Sequence, residues 1–107
     1  MLEPEIRELL TRLRRELEAL YGESLKGVYL FGSHARDEAT PDSDVDVLVV
    51  LDTVTDYGAE IRRTGPMIST LSLDSGRSIS RVFVSHSAWR ERDSPFLANV
   101  REDARAA

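Results

Sequence analysis

Apolar residues recur along the chain with two different periods, which predict an alternation of helices and strands. Over residues 4–20 they return every three or four positions, as on one face of a helix. These apolar residues are Ile6, Leu9, Leu10, Leu13, Leu17 and Leu20. Pro4 suits the first turn of such a helix and Gly22 suits its end. The first element is therefore predicted to be an amphipathic helix.

Three short apolar runs predict strands, over residues 27–31, 45–51 and 78–84. From Val47 onward the second run is apolar at every position, as expected of a central strand that is covered on both faces. The polar segment 34–43 is predicted to be a short helical turn and a loop. Residues 56–75 have a helical pattern, but Gly65-Pro66 is predicted to break or kink it.

The last part of the chain predicts short helices. Ser85 or Ser87 is suited to cap a turn that contains Trp89, and Ser94-Pro95 is a typical start for a final helix. The apolar side chains Trp89, Phe96 and Leu97 are predicted to lie in the core; the alternative is an exposed patch that binds a partner. Residues 1–107 are thus expected to form one small α/β (or α+β) domain, with a sheet of three or slightly more strands flanked by helices.

The amino-acid composition narrows the classes of function that the protein can have. The net charge is −5, with 19 acidic and 14 basic residues, which disfavours general nucleic-acid binding; any nucleotide should be handled in a local pocket. The absence of cysteine excludes disulfides, thiolate metal sites and cysteine nucleophiles, and fits a cytoplasmic protein. No apolar run is long enough to cross a membrane, and the acidic start is unlike a signal peptide, so no membrane partner is expected.

Two carboxylates begin the central strand. Asp44 and Asp46 are two residues apart, so their side chains are expected on the same face. Such a pair repels itself unless a cation neutralises it, and Mg²⁺ prefers oxygen ligands of this kind. An EF-hand loop that starts at Asp42 is excluded, because it requires Gly and Glu where the chain has Val47 and Thr53.

A glycine and a serine end the preceding strand. Gly32 would let the backbone approach a phosphate closely, and backbone N–H groups at the start of a helical turn favour an anion. The Ser33 hydroxyl could add a hydrogen bond and Arg36 a positive charge, although Arg36 could equally be an exposed surface residue. No P-loop sequence is present.

The run from Gly32-Ser33 to Asp44-Val45-Asp46 resembles the signature of the DNA-polymerase-beta-like nucleotidyltransferase superfamily, in which Gly-Ser is followed by ten residues and Asp-x-Asp. The similarity is greatest to the minimal nucleotidyltransferases, which are often paired with a HEPN-type helical protein in prokaryotic toxin–antitoxin systems. The resemblance implies the nucleotidyltransferase fold with a mixed sheet.

For individual residues, the resemblance implies a division of roles. Gly32, Ser33, Arg36 and Ser43 would bind the nucleotide. The two aspartates, Asp44 and Asp46, would be catalytic and would hold one or two Mg²⁺ ions. The implied reaction transfers AMP from ATP to an acceptor hydroxyl, on a HEPN-type partner, and makes the chain an antitoxin.

Two positions depart from the family pattern. Asp37 stands where relatives usually have Gly after the arginine. Active relatives also carry a third carboxylate on the third strand, but here Ser80 or Arg81 occupies the place. An Arg81 in that position could replace the metal electrostatically or point to solvent. Asp74, further upstream, is predicted to lie in a turn.

The missing carboxylate keeps other functions open. The chain could be a weak or inactive nucleotide-binding module that neutralises or regulates a helical partner by direct binding, or a nucleotide sensor without turnover. His34 could touch a phosphate or metal but is expected to be a variable loop residue, and His86 a surface turn residue. An exposed sheet edge or helix face could also support a homo-oligomer.

Overall fold

The computed structural model describes residues 2–91 and 94–107. The helices are α1 (Pro4–Tyr21), α2 (Tyr57–Ser75), α3 (His86–Glu91) and α4 (Pro95–Asp103), and a 3-10 turn spans Gly22–Ser24. The strands are β1 (Leu25–Phe31), β2 (Val45–Leu51), β3 (Ile79–Ser85) and β4 (Arg105–Ala106).

Helix α1 forms as its apolar period predicts and ends one residue later than expected. Pro4 occupies the first turn, where its missing N–H leaves no bond unmade. Gly22 ends the helix at φ +58, which favours glycine. The buried stripe comprises Ile6, Leu9, Leu10, Leu13 and Leu17. This stripe packs α1 onto one face of the sheet.

The four strands form one mixed sheet in the order β3-β2-β1-β4. β1 pairs antiparallel with β2 and with β4, whereas β2 and β3 are parallel. The expected small mixed sheet flanked by helices is therefore confirmed. β4 was not predicted, because its pairing depends on Tyr29 and Leu30, which are distant in the sequence.

Strand β2 is covered on both faces, as its continuous apolar run predicts. Val47 and Val49 belong to the cluster under α1 and α2, and Leu48 and Val50 to a second cluster under α3 and α4. Since side chains alternate along a strand, consecutive residues of β2 serve opposite layers. These two layers cover the two faces of the sheet, which we call the α1/α2 face and the α3/α4 face.

Of the break or kink predicted at Gly65-Pro66, the break is wrong, because α2 runs without interruption through Pro66. Proline removes one backbone donor from the helix. On this helix the loss is offset by burial of Ile68 and Leu71 against the core and by an N-cap at Asp56, whose carboxylate accepts from the backbone N–H of residue 59 at 3.1 Å. Tertiary packing thus outweighs the local preference.

The C-terminal helices follow their predicted caps. The Ser85 hydroxyl accepts from the backbone N–H of residue 88 at 3.2 Å, and the Ser94 hydroxyl accepts from the N–H of Leu97 at 3.1 Å. Trp89 and Leu97 are buried, as expected of core residues. The core prediction is wrong for Phe96, which is 46% exposed.

Candidate nucleotide and metal site

The loop between β1 and β2 brings the Gly-Ser and Asp-x-Asp segments together. Gly32 has φ +76, and a side chain there would collide with the Asp46 carboxylate. After Gly32 the backbone closes a tight turn: the Arg36 N–H donates to the Gly32 carbonyl at 3.2 Å, and the Glu38 N–H donates to the Ser33 carbonyl at 2.9 Å. The glycine is therefore required both for its dihedral angle and for the close approach of the carboxylate.

Asp46 lies in a row of three residues that crosses three strands. It pairs with Phe31 on β1 and with Ser80 on β3. Because paired residues share a face, these three side chains lie side by side on the α3/α4 face. We call Phe31, Asp46 and Ser80 the site row.

The electrostatics of Asp46 indicate a position that favours a cation. Burial raises the pKa of the Asp46 carboxyl above its ordinary value, and the negative charge of Asp44 raises it further. The positive charges of His34 and Arg36 lower this pKa in part. Two neighbouring carboxylates, one of them half-buried, are the kind of oxygen ligands that bind Mg²⁺.

Ser80, and not Arg81, occupies the place beside Asp46 on the third strand. Arg81 is turned to the α1/α2 face, where its guanidinium donates to the Thr64 hydroxyl at 2.7 Å and to the Ile61 carbonyl at 2.8 Å. The suggestions that Arg81 replaces the metal or points to solvent are thus both wrong. The alternation of side chains along β3 is the physical reason.

The adjacent row of residues faces the other way. Leu30 pairs with Val47, and Val47 pairs with Arg81. Leu30 and Val47 belong to the cluster under α1 and α2, and Ile61, whose carbonyl accepts from Arg81, packs against the same cluster. We call Leu30, Val47 and Arg81 the core row.

Arg36 is close to the site but is engaged by acidic neighbours. Its guanidinium lies 3.2 Å from an Asp103 carboxylate oxygen and 3.6 Å from one of Glu38. The hydrogen bond to Asp103, with the charge of Glu38, raises the pKa of Arg36 above its ordinary value. A phosphate contact by Arg36 would therefore require exchange of the Asp103 partner.

Ser43 serves the loop itself. Its hydroxyl accepts from the Thr40 N–H at 2.9 Å, and its own N–H donates to the Thr40 carbonyl at 3.0 Å. These two bonds close the turn that leads into Asp44. The Ser43 hydroxyl also lies 3.3 Å from the Thr40 hydroxyl, so one of its three hydrogen-bonding positions remains for a ligand.

The two histidines, His34 and His86, are both at least partly buried. His34 lies in the loop between β1 and β2, as expected, but is only 7% exposed; within residues 2–91 and 94–107 its Nε2 has no hydrogen-bond partner. His86 begins α3 and is partly buried. Ala35, next to His34, is also buried and belongs to the core under α1 and α2.

Asp37 has a backbone conformation that favours glycine, the residue that the family resemblance leads us to expect at this position. Its φ of +59 lies in the left-handed region, which Asp tolerates better than most residues. Its carboxylate also lies 3.3 Å from the Arg105 guanidinium, which begins β4. Asp37 therefore fits the turn and connects the loop to the C-terminal strand.

The residues present fit a cation that keeps several of its waters. In the described part of the chain no group of three or more His, Cys, Asp or Glu side chains is arranged to hold a metal. Asp44 and Asp46 supply carboxylate oxygens, and the Ser80 hydroxyl lies beside them in the site row. Mg²⁺ commonly binds through one or two carboxylates with water and substrate phosphate, so this set is sufficient for it.

Within residues 2–91 and 94–107, one cavity is lined by none of the residues of the candidate site. The cavity of about 290 Å³ between α1 and the end of α2 is lined by Glu5, Glu8, Leu9, Arg12, Asp74, Ser75 and Arg77. Asp74 lies within α2, not in the predicted turn, and pairs with Arg12 at 3.1 Å. The aspartates of the candidate site lie instead at the start of β2, where Asp44 is exposed and Asp46 is half-buried.

Within residues 2–91 and 94–107, none of the helices combines the length and the apolar character needed to span a membrane.

A double-carboxylate strand that follows a glycine-serine turn, on a mixed sheet, defines the nucleotidyltransferase class of site. The profile of the family described as Nucleotidyltransferase domain matches residues 10–101, and the chain belongs to this family. The resemblance inferred from the signature is thereby confirmed.

One relative aligns with most of the chain. It is Putative protein adenylyltransferase MJ0604 of Methanocaldococcus jannaschii, 31% identical over 90 residues, which are 83% of this chain and 84% of that protein. Other similarly named relatives from that organism match over only 44% to 59% of their own length, so the chain spans about half of those proteins.

Solved structures show the same fold. A nucleotidyltransferase structure from Sulfolobus solfataricus has a TM-score of 0.64 at 22% identity and covers 95% of this chain and 80% of that chain. A complex of the tri-AMPylated HEPN toxin of Shewanella oneidensis with MNT antitoxin has a TM-score of 0.58 at 15% identity, covering 94% and 69%. At these identities the likeness concerns the fold alone.

Proposed function

We propose that the protein is a Mg²⁺-dependent nucleotidyltransferase that transfers AMP from ATP to a hydroxyl on a HEPN-type partner and so acts as an antitoxin. The observation that carries the proposal is the Asp44–Asp46 pair with the Asp46 carboxylate against Gly32. This contact would bring a metal-binding carboxylate of β2 next to the phosphate-binding turn at Gly32. Membership of the nucleotidyltransferase family supports it.

The residues divide the work of the transfer. Gly32 and Ser33 would hold the triphosphate through the backbone and the hydroxyl, and Asp44 and Asp46 would hold Mg²⁺. Bound Mg²⁺ would neutralise charge on the phosphates and on the leaving group. The acceptor oxygen forms a bond to the α-phosphorus as the bond to pyrophosphate breaks. Ser80 is no base, so the acceptor proton leaves to solvent or to the partner protein.

The acceptor and the partner are proposed from the relatives. The relative with the broadest alignment is named a protein adenylyltransferase, and one structural neighbour contains an AMPylated HEPN toxin with MNT antitoxin. Both names describe transfer of AMP to a protein. The open edge at Asp44 and Ser80 leaves room for a protein acceptor beside the aspartates.

A second function is favoured by Ser80. Without a carboxylate at that position, the chain could bind nucleotide and partner yet turn over slowly, neutralising the partner by contact. This reading predicts a complex whose stability does not depend on Asp44 or Asp46. The two functions differ in chemistry and share the fold.

The deciding experiment measures transfer of label from α-labelled ATP, with Mg²⁺, to the protein encoded by the neighbouring gene. We expect Asp44→Asn and Asp46→Asn to reduce transfer by at least about 100-fold. Asp52→Asn is the matched control, because Asp52 is exposed at the opposite end of β2. Ser80→Asp should increase transfer on the order of 100-fold if it restores a base beside Asp46.

Stability measurements keep this test interpretable. Asp46→Asn should leave the metal-free protein as stable as wild type or more stable by up to about 1 kcal/mol, since it removes repulsion from Asp44. It should also abolish any rise of Tm on adding Mg²⁺. Absence of transfer by wild type and Ser80→Asp alike, with a stable complex, would replace the enzyme by the binding module.

A further inference from the structure

A pair of aromatic rings, one half-buried and one exposed, flanks the candidate metal site on the β1 side. Phe31 and Phe96 meet edge to face, with ring centroids 5.8 Å apart and an interplanar angle of 87°. We propose that this pair is the shelf on which the nucleobase of the bound nucleoside triphosphate stacks. The inference rests on the proposed function, because it uses the same phosphate and metal positions.

The register of the sheet places the shelf next to the aspartates. Phe31 is the residue of β1 that pairs with Asp46. Side chains paired in this way have Cβ atoms about 4.5–5.5 Å apart. A nucleotide whose phosphates lie at Gly32 and whose metal lies at Asp46 therefore has its ribose and base within reach of the Phe31 ring.

Phe96 is exposed in a helix whose large aliphatic side chains, Leu97 and Val100, are buried. Its exposed fraction is 46%, whereas Leu97 and Val100 on the same helix are 5% and 4% exposed. The edge contact with Phe31 and the cap at Ser94 fix the position of the ring. An ordered aromatic face open to solvent is suited to stacking, since every nucleobase offers a π face.

Other exposed apolar side chains lack this relation to the site. Tyr57 caps the outer edge of β3, where its hydroxyl accepts from the Phe83 N–H at 3.2 Å. Leu73 is 84% exposed and belongs to α2, on the α1/α2 side. Leu20 is 41% exposed and belongs to α1, on that side as well. Phe96, by contrast, contacts Phe31 of the site row.

The shelf also determines on which side of Asp46 the base lies and on which side the acceptor enters. From Asp46 the site row continues to aromatic Phe31 on one side and to the small polar Ser80 on the other. The base therefore lies over β1 and α4, and the acceptor enters over β3. The strength of stacking depends on the area of the rings more than on hydrogen bonds. Purine nucleotides should therefore bind more tightly than pyrimidine nucleotides.

Calorimetry with two ligands tests the shelf, because inorganic tripolyphosphate has the phosphates of ATP but no base. With Mg²⁺ present, Phe96→Ala should weaken ATP binding by about 5- to 100-fold and leave tripolyphosphate binding within about 2-fold. Phe96→Tyr should retain the affinity for ATP. Leu73→Ala is the matched control for loss of an exposed apolar side chain.

The outcomes separate this inference from the proposed function. Equal loss of both ligands, or no loss of ATP binding, in folded Phe96→Ala would overturn the shelf. If that variant instead lost only the partner protein, the rings would belong to the partner interface. Wild-type binding of tripolyphosphate that ignores Mg²⁺ and Asp46→Asn, or no binding at all, would overturn the proposed function and the shelf together.

Discussion

The core row and the site row are one residue apart on each of three strands, yet they differ in burial. Leu30 and Val47 of the core row are 0% exposed, and Arg81 is held by two hydrogen bonds to α2. In the site row, Phe31 and Asp46 are half-buried and Ser80 is exposed. Both rows follow from the same strand register, and each residue of one row is adjacent in the sequence to a residue of the other.

The difference between the rows comes from what covers each face. Helices α1 and α2 lie over the core row, so an arginine there must find partners inside the protein. The short helices α3 and α4 cover Leu48 and Val50 but leave the row at Asp46 open. A carboxylate can remain there because water or a cation can reach it.

The largest expected effect is a truncation in the core row. Leu30→Ala should lower the free energy of unfolding by about 2–5 kcal/mol, because it leaves a cavity in a fully buried layer. Leu73→Ala, at a residue that is 84% exposed, should change it by less than about 0.5 kcal/mol. Denaturant titration measures both. A small effect at Leu30 would mean that α1 and α2 do not form a tight layer.

A smaller effect should distinguish the two neighbours on β3. Arg81→Met retains the bulk of the side chain but removes its bonds to Thr64 and Ile61, which should cost about 1–3 kcal/mol. ATP binding in the presence of Mg²⁺ should not change, since Arg81 faces away from Asp46. Ser80→Ala should leave stability nearly unchanged. Loss of ATP binding in folded Arg81→Met would place Arg81 in the site.

The sequence predicts the elements of this fold better than their pairing. The helical period of α1, the caps at Ser85 and Ser94 and the double coverage of β2 can all be recognised locally. The continuity of α2 through Pro66 could not, because it depends on contacts with residues distant in the sequence. The same holds for β4, a two-residue strand that pairs with β1.

For the site, the signature predicts the residues but not which face they share. Gly32, Asp44 and Asp46 are identified by spacing, whereas the choice between Ser80 and Arg81 needs the register of β3 against β2. The Phe31–Phe96 pair needs both the β1 register and the position of α4. The available signal was the alternation in β1, which is informative only once the partner strand is known.

The smallest expected effect concerns the turn that carries the chain from Phe31 in the site row back to Asp46. Asp37→Ala and Asp37→Gly remove the same carboxylate and its bond to Arg105, so they differ only in the backbone. At φ +59 the glycine variant should be more stable than the alanine variant by about 1 kcal/mol. Thermal unfolding of the two proteins measures this difference. Equal stability would mean that the turn relaxes from φ +59 without a carboxylate at Asp37, and that the contact between Gly32 and Asp46 is held by the strands alone.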